Sequence, residues 1–551
     1  MTKVLIAAAW PYASGPRHLG HAAGAYLPAD VVARYHRLAD DDVLFVSGSD
    51  QHGTPITVAA ERQGLPPQAF ADREHERIAA SFARLGVSFD RYTRTGTALH
   101  AEVVRRLFCR LHARGFVTEG EDRSAFCPDE GRSLPDRYVQ GRCPHCGQTD
   151  ARGDQCDGCG STLDPDDLLD PTCRRCGAAA VFRPLRQLFL RLDLLQPHVE
   201  RYVHEAGPRW RPFVAAEAEG WLREGLRPRA ITRDLDHGVR VPLPGCDDRR
   251  LYVWFDAVIG YLSASIEWAR DTGDPEAWRA WWEDPEAVHR YFIGKDNAPF
   301  HALWWPAILT GAGGLDPGDP LLHLPDDVVA NHHLTLGGAK FSASRGLGVD
   351  LDEALRGFGV DPLRHALAAT NPEAADAGFT WERAEELTTS GLLGDVANPA
   401  FRVATLLWRR ARGRPDLGVW EGPARADRLA AAAALRAIGQ DLGAARIRSA
   451  VARTHELGRT VNRRLADAEP WRLPDVHLRQ ELTRLLPYLD ALGVAAWPVV
   501  PGTAGRIRRL LGRAPQPARW ALDPAPPAVV AAPQPPLVRP GAAVAEAPPE
   551  V

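Results

Sequence analysis

The stretch from Val4 to Tyr26 constrains the fold most, because it joins three kinds of backbone element in direct succession. It reads VLIAAAWPYASGPRHLGHAAGAY. The apolar run Val4–Ala9 predicts a buried strand, the residues rich in Pro, Gly and Ser predict a turn, and the part after His18 predicts a helix through Arg34. A strand, a glycine-containing turn and a helix start form the phosphate-binding corner of α/β folds.

Side chains at this corner suit a bound anion. Gly20 lets a nucleotide lie close to the backbone, and the helix start offers N–H groups and a favourable dipole. His18 and His21 are three residues apart, so we expect both on one face of the first helical turn, donating hydrogen bonds to one phosphate. A His pair at this spacing is also common as a helix cap or a chance surface pair, so further support is needed.

Two other stretches suit buried strands of the same sheet. Val43–Ser47 precedes a polar loop that contains Asp50 and His52, and Val288–Ile293 precedes Gly294-Lys295-Asp296. Strand, helix and strand form a right-handed βαβ unit, whose ligands lie beyond the carboxyl ends of the strands. The sequence therefore predicts an α/β fold with a nucleotide-binding sheet of the Rossmann type.

Charge and hydropathy exclude some classes of protein. The net charge of −4 excludes a surface that is basic throughout, but residues 401–472 carry 15 Arg against 7 acidic residues, a local patch suited to RNA. No apolar run approaches the roughly 20 residues that span a membrane. The chain begins directly with a core strand, without a basic and then apolar leader, so we expect a cytoplasmic protein.

Lysine is almost absent from the chain. It occurs only at positions 3, 295 and 340, whereas the other basic residues are Arg. A Lys retained against this background is expected to be needed as a compact ammonium, which reaches a phosphate oxygen differently from a planar guanidinium. Lys295 and Lys340 are therefore candidate phosphate contacts, and Lys3 lies at the terminus.

Cysteines concentrate in one segment without clear periodicity. Seven of the nine lie between residues 127 and 176. Two CxxC pairs predict a closed, structural Zn²⁺ site of four thiolates, formed by Cys143, Cys146, Cys156 and Cys159. A redox role for CxxC lacks a thioredoxin-like context. A third pair and one earlier cysteine indicate a second site whose fourth ligand is not evident, namely Cys127, Cys173 and Cys176.

Several motifs together resemble one family. HLGH at residues 18–21 resembles the HIGH motif, and KFSAS at residues 340–344 resembles the KMSKS loop, of class I aminoacyl-tRNA synthetases. AAWPYASGPRHLGH, DQHGTP, the zinc-knuckle segment LPDRYVQGRCPHCG and YVWFDAVIGY are similar to the methionyl members of that class. The resemblance extends in order and spacing from residue 1 to about residue 513.

The resemblance implies a two-step reaction on L-methionine, ATP with Mg²⁺, and tRNA(Met). The methionine carboxylate attacks the α-phosphorus of ATP, and a ribose hydroxyl at the 3′ end of the tRNA then accepts the methionyl group. His18, His21 and Lys340 would be catalytic through charge stabilisation on the phosphates. The implied ATP-binding residues are His18, Gly20, His21, Lys295, Asp296, Lys340 and Ser342.

The resemblance also implies a methionine pocket. Asp50 would receive the amino group, although an Asp at this place also caps helices. Trp254, Ala257, Val258 and Tyr261 share one helix face, which in an isolated helix would be plain core. In the family this face surrounds the thioether. The implied methionine-binding residues are Ala9, Trp10, Tyr12, Asp50, Trp254, Ala257, Val258, Tyr261 and His301.

One departure from the motifs keeps two alternatives open. Ala343 replaces the second Lys of the KMSKS loop, which stabilises the leaving pyrophosphate in the family. A non-catalytic tRNA-binding relative would tolerate this loss. A paralogue that activates methionine or an analogue outside translation is the other alternative, and an intact anticodon-reading set argues against it.

The predicted domains follow from these assignments. We expect a Rossmann domain in two halves, residues 1–115 and 241–325, split by a connective insertion with zinc knuckles, residues 116–240. The KMSKS region follows at 326–385 and an α-helical anticodon-binding bundle at 386–513, where Asn398, Arg402 and Trp471 would read bases. Residues 514–551 are rich in Pro and Ala and predict a disordered tail. Nothing indicates an obligate partner chain, so we expect a monomer.

Overall fold

Strands and helices alternate in the first two thirds of the chain. The computed structural model describes residues 1–153, 156, 158–159, 161, 163–336, 339–340, 349–527 and 530–532. The strands are β1 (Lys3–Ala8), β2 (Asp42–Ser49), β3 (Arg91–Arg94), β4 (Val117–Cys127), β5 (Arg132–Ser133), β6 (Val139–Arg142), β7 (Ala151–Arg152), β8 (Leu169–Cys173), β9 (Val181–Leu190), β10 (Arg229–Ala230), β11 (Thr232–Arg233), β12 (Arg250–Leu251), β13 (Val288–Gly294), β14 (Asp327–Asn331), β15 (Leu334–Leu336), β16 (Ala339–Lys340) and β17 (Ala377–Phe379).

Helices cover the sheet and make up most of the last third. They are α1 (Leu19–His21), α2 (Leu27–Leu38), α3 (Thr54–Arg62), α4 (Pro67–Leu85), α5 (Ala98–Ala113), α6 (Leu192–Ala206), α7 (Pro212–Glu224), α8 (Val253–Thr272), α9 (Arg279–Trp282), α10 (Trp305–Ala312), α11 (Leu351–Phe358), α12 (Val360–Ala369), α13 (Trp381–Glu386), α14 (Asn398–Ala411), α15 (Leu417–Glu421), α16 (Ala424–Gly443), α17 (Ile447–Ala468), α18 (Asp475–Ala495) and α19 (Pro501–Leu510). Within the described residues, no helix is long and apolar enough to cross a bilayer.

The central sheet is parallel, in the order β14-β13-β1-β2-β3. Alternate residues of β1 enter different cores: Val4 and Ile6 pack with α2 and the C-terminal helices, whereas Leu5 and Ala7 pack with α5, α8 and α10. A strand buried on both faces reads as a continuous apolar run, which is the pattern of β1. The predicted Rossmann-type α/β fold is confirmed, and the sheet takes strands from both sides of an insertion.

The insertion consists of antiparallel sheets. The first has the order β10-β9-β4-β5, and β4 pairs with β9 over most of its length. The second, in the order β7-β6-β8, carries the cysteine pairs at its strand ends. Helices α14 to α19 then form the predicted α-helical bundle. The exact domain boundaries stay predictions.

The described part of the C-terminal segment differs from the predicted disorder. Residues 514–527 and 530–532 pack on the bundle and on α2. The Trp520 ring contacts the Tyr35 ring edge-on at 5.0 Å between centroids, and its Nε1 donates to the carbonyl of Leu435 at 3.1 Å. Val530 is fully buried. The prediction of a disordered tail starting at residue 514 is therefore wrong for these residues, because single apolar side chains anchor a Pro-rich segment.

Candidate active site

Two loops meet at the carboxyl ends of β1 and β2. The N–H of Asp50 donates to the carbonyl of Pro11 at 2.8 Å, and the N–H of Ala13 donates to the carbonyl of Asp50 at 2.7 Å. These bonds continue the parallel pairing beyond the strands, as the isolated bridge between Tyr12 and Asp50 shows. The Asp50 carboxyl group is thereby fixed beside the Trp10–Tyr12 turn.

A small pocket of about 80 Å³, partly open to solvent, lies between these loops and α8. The structure brings together all nine residues predicted for methionine. Asn297 and Phe300 complete the wall, and sequence reasoning missed both. The lining consists of Ala9, Trp10, Tyr12, Asp50, Trp254, Ala257, Val258, Tyr261, Asn297, Phe300 and His301.

Asp50 supplies the acidic end of the pocket. Its residue is 3% exposed, and burial together with the nearby Asp256 raises the pKa of its carboxyl well above the usual value. The backbone N–H of His52 donates to Oδ1 at 3.0 Å. Burial disfavours the charged form of this carboxyl group. A cationic ligand suits the site, since an ammonium within hydrogen-bonding distance favours the carboxylate.

His301 and Tyr261 form the neutral end of the pocket. Burial lowers the pKa of His301 to about 4, so the ring is neutral near pH 7. Its Nδ1–H donates to the carbonyl of Asn297 at 2.9 Å, and Nε2 accepts from the Tyr261 hydroxyl at 2.8 Å. Because the His301 ring nitrogens already have hydrogen-bond partners within the protein, this end of the pocket can surround an apolar, polarizable side chain.

Two glycines make room for the Trp10 ring. A Cβ built on Gly48 would lie 2.2 Å from Trp10 Cζ3, and one on Gly260 would lie 2.6 Å from Trp10 Cζ2. Any larger residue at either position would push the indole out of the pocket wall. These glycines therefore shape the site without touching its ligand space.

The His52 side chain joins the Asp50 loop to helix α8. Its Nδ1 donates to Asp256 Oδ2 at 2.8 Å, and both residues are buried. Asp256 directly precedes Ala257 of the pocket wall. This hydrogen bond links the acidic end of the pocket to the helix that forms its apolar side, and the sequence places the two residues 204 positions apart.

The two histidines of the HLGH segment lie together at the start of the helix. Their ring centroids are 3.7 Å apart, and the backbone N–H of His18 donates to Nδ1 of His21 at 3.3 Å. His18 is the N-cap of α1, with extended backbone angles φ −110° and ψ 168°, and His21 is its third residue, so both rings lie on one side of the helix start as expected. His18 precedes the helix because it pairs as a strand residue with Asp350.

That pairing brings the second motif segment to the first. The N–H of Leu19 donates to the carbonyl of Val349 at 3.2 Å, and the N–H of Leu351 donates to the carbonyl of Arg17 at 2.9 Å. The backbone of Lys340 pairs with Thr335 in the β15–β16 hairpin. The side chain of Lys340 and the whole of Ser342 lie outside the described residues. The described residues on both sides of this segment lie near His18 and His21. β15 contacts α1 on one side, and Val349 and Leu351 bond to the chain around His18 on the other.

Lys295 and Asp296 lie at the carboxyl end of β13, as predicted. Lys295 Nζ forms an ion pair with Asp376 at 2.8 Å, and Asp296 Oδ1 lies 3.2 Å from His333 Nε2. Both are half-buried side chains at the same edge of the sheet as Asp50 and His18. Their assignment to ATP stays a prediction.

Sulfur atoms cluster at two places in the insertion. Cys143 and Cys159 are 3.9 Å apart between their Sγ atoms, and Cys146 and Cys156 are 3.6 Å apart. Thiolates about 2.3 Å from a tetrahedral Zn²⁺ lie about 3.8 Å from one another, so these four residues fit a metal ion. The distances are far longer than a disulfide bond.

A second group of sulfurs contains Cys127, Cys173 and Cys176, with 3.4 Å between the Sγ atoms of Cys127 and Cys176. This spacing also fits thiolates around one ion. Three of the seven clustered cysteines therefore form a separate candidate site, as the sequence indicated.

The predicted anticodon residues lie on the surface of the helical bundle. Asn398 and Arg402 are exposed on α14, and Arg402 Nη1 donates to Asn462 Oδ1 of α17 at 3.2 Å. The ring of Trp471, which follows α17, is 42% exposed. An exposed indole is suited to stacking on an unpaired base.

Comparisons with known proteins identify the family of this chain. The family model described as "tRNA synthetases class I (M)" matches residues 4–404. A protein of Chloroflexus aggregans named "Methionine--tRNA ligase" is 42% identical over 524 residues, which cover 92% of this chain and 87% of that protein. One of the same name from Roseiflexus sp. is 44% identical over 532 residues, with 93% and 88% covered.

A solved structure has the same fold. The Mycobacterium tuberculosis methionyl-tRNA synthetase in complex with methionyl-adenylate superimposes with a TM-score of 0.78 at 25% identity, over 98% of this chain and 100% of that one. From the family match over most of the chain and the relatives above 40% identity, this protein belongs to the methionyl family of the class I tRNA synthetases.

Proposed function

We propose that this protein is a methionine–tRNA ligase that activates L-methionine with ATP and transfers it to tRNA(Met). The observation that carries the proposal is the pocket with Asp50 at one end and the neutral Tyr261–His301 pair at the other. A carboxylate pairs with the α-ammonium, and the aromatic wall accepts the thioether. Named relatives with the same activity support it.

Methionine is held for in-line attack on ATP at the sheet edge. Asp50 fixes the amino group, so the methionine carboxylate is free to face the α-phosphorus. His18 and His21 donate hydrogen bonds to the phosphates, and Lys340 adds a positive charge as pyrophosphate leaves. No side chain of the proposal acts as a nucleophile; positioning and electrostatic stabilisation account for the rate.

The tRNA reaches the molecule at two places in this proposal. Asn398 and Arg402 bond base edges and Trp471 stacks on an anticodon base, while the terminal ribose hydroxyl attacks the activated carbonyl at the pocket. Mg²⁺ accompanies ATP and supplies charge neutralisation when bound. Zn²⁺ is held by the four thiolates from Cys143 to Cys159 and stabilises the insertion. We place the enzyme in the cytoplasm, because thiolate clusters persist in a reducing compartment. We take it to be a monomer, since nothing in the sequence indicates an obligate partner chain.

Methionine-dependent ATP–pyrophosphate exchange tests the first step, and charging of tRNA(Met) tests the second. We expect both with full-length, zinc-loaded protein. Absence of exchange by folded protein would favour the non-catalytic relative, for which Ala343 is the supporting feature. Exchange without charging of initiator or elongator tRNA would favour the paralogue.

Replacing Lys340 by alanine should lower the exchange rate about 10²-fold, because one positioned cation at a leaving pyrophosphate contributes that much. The methionine concentration at half-saturation should change less than twofold, since the role assigned to Lys340 is at the phosphates. The matched control is Lys3→Ala, in which the lysine removed pairs with Asp42 at the edge of β1. A Lys340→Ala rate near that of the control would remove this role.

A further inference from the structure

The second sulfur cluster has three cysteines within the described part of the chain. A structural zinc ion takes four ligands, so one is missing. The backbone of the insertion indicates where the missing ligand lies.

Two cysteine pairs form the same five-residue turn. The N–H of Gly147 donates to the carbonyl of Cys143 at 3.0 Å, and Gly147 has φ +77°. The N–H of Gly177 donates to the carbonyl of Cys173 at 2.8 Å, and Gly177 has φ +80°. In each turn the first and fourth residues are cysteines, and the closing glycine adopts the left-handed conformation that favours it.

The segment Cys127–Gly131 repeats this turn. The N–H of Gly131 donates to the carbonyl of Cys127 at 3.0 Å, and Gly131 has φ +64°. The fourth position, occupied by Cys146 and Cys176 in the other two turns, is Glu130 here. The backbone N–H of Glu130 also donates to Cys127 Sγ at 3.4 Å, which stabilises a thiolate at the first position.

We propose that Glu130 is the fourth ligand of a second zinc site, with Cys127, Cys173 and Cys176. Carboxylate oxygens bind Zn²⁺ at distances close to those of imidazole nitrogens. Arg175, between the two cysteines of the partner knuckle, has its Nε 3.4 Å from Oε2 of Glu130. This ion pair holds the Glu130 carboxylate beside the knuckle. The ligand atoms that lie within 4.8 Å of one another here are the three sulfurs, so the Glu130 side chain turns from Arg175 toward them when it binds the metal.

The site also contacts the nucleotide-binding part of the chain. Arg175 Nη1 lies 3.7 Å from Glu61 Oε1, and the Tyr138 hydroxyl donates to the same oxygen at 2.9 Å. Glu61 belongs to α3, the helix that follows the Asp50 loop. A metal ion bound by Cys127, Glu130 and the Cys173–Cys176 knuckle therefore holds this face of the insertion against α3.

Cadmium-113 NMR of the full-length protein loaded with ¹¹³Cd²⁺ counts the sites and reports their donor atoms. We expect two resonances, one from four thiolates and one shifted upfield by an oxygen ligand. Glu130→Ala should move or abolish only the second, and Glu130→Cys should move it into the four-thiolate range. Cys173→Ser identifies the resonance, and Asp129→Ala, the neighbouring acid, is the control that should leave both unchanged.

Release of zinc to a chelator provides a second measurement. Glu130→Ala should release one equivalent per chain at least about tenfold faster than the unaltered protein, and Glu130→Cys should slow that release below the unaltered rate. A single bound metal per chain, or two resonances that Glu130→Ala and Glu130→Cys both leave in place, would overturn the proposal.

Discussion

Asp50→Asn is expected to raise the KM for methionine about 10²-fold or more, while the KM for ATP stays within about twofold. The asparagine keeps the shape of the side chain and removes its charge. Loss of one partner from a buried, hydrogen-bonded charge pair costs about 2–5 kcal/mol, which corresponds to roughly 30- to several thousand-fold in affinity. Methionine-dependent pyrophosphate exchange and quenching of the pocket tryptophans on methionine addition both measure it.

The pH dependence gives an independent check on Asp50. Burial and Asp256 raise the pKa of Asp50 in the free protein, whereas a bound ammonium lowers it. Methionine therefore binds with release of a proton below the free-protein pKa, and kcat/KM for methionine should fall as the pH decreases through that pKa. Asp50→Asn should lose this part of the profile.

The control is Asp72→Asn. Asp72 accepts a hydrogen bond from Gln51, the neighbour of Asp50, but lies outside the pocket lining. Its replacement should leave the methionine KM unchanged. If Asp50→Asn behaved like this control, the ammonium would have to be bound elsewhere and the assigned orientation of methionine would be wrong.

Much of the fold follows from local pattern. The predicted strands at Val4, Val43 and Val288 each begin within a residue or two of an observed strand, because strands buried on both faces are rich in apolar residues. The site at their carboxyl ends follows from the geometry of parallel sheets, which explains why residues from Ala9 to His301 share one pocket.

Other features depend on contacts that no local pattern contains. Phe300 and Asn297 carry no chemistry that distinguishes a pocket wall from core. The extended backbone of His18 at the helix N-cap depends on a bridge to Asp350, more than 300 residues later. Trp520 and Val530 anchor a segment whose average composition indicates disorder. The role proposed for Glu130 depends on backbone angles and hydrogen bonds, because only these show that its turn matches the turns of two cysteine pairs.

Asp30 of α2 and Arg364 of α12 form a buried ion pair. Both side chains are 0% exposed, and Arg364 Nη2 donates to Asp30 Oδ2 at 2.6 Å. The same guanidinium donates to the carbonyls of Leu85, Pro498 and Val499. One side chain therefore connects the helices on the nucleotide-binding sheet with the turn between α18 and α19 of the C-terminal bundle.

Asp30→Asn is expected to lower the free energy of unfolding by about 3–5 kcal/mol, because it leaves a buried guanidinium without its counter-ion. Burial alone would raise the pKa of Asp30, but Arg364 and Arg34 hold it below the usual value. The carboxylate therefore stabilises the fold at neutral pH, and this contribution is lost as the pH falls through the range below about 4. Urea-induced unfolding followed by tryptophan fluorescence at pH 7 measures the loss.

Asp475→Asn is the matched control, since Asp475 pairs with Arg410 on the surface and is 64% exposed. Water solvates both partners there, so its loss should have little effect. Because the sheet, α2 and the bundle share one apolar core, Asp30→Asn should shift a single unfolding transition to lower urea and not separate the two parts. Equal urea midpoints for Asp30→Asn and Asp475→Asn would contradict a stabilising role for the buried ion pair.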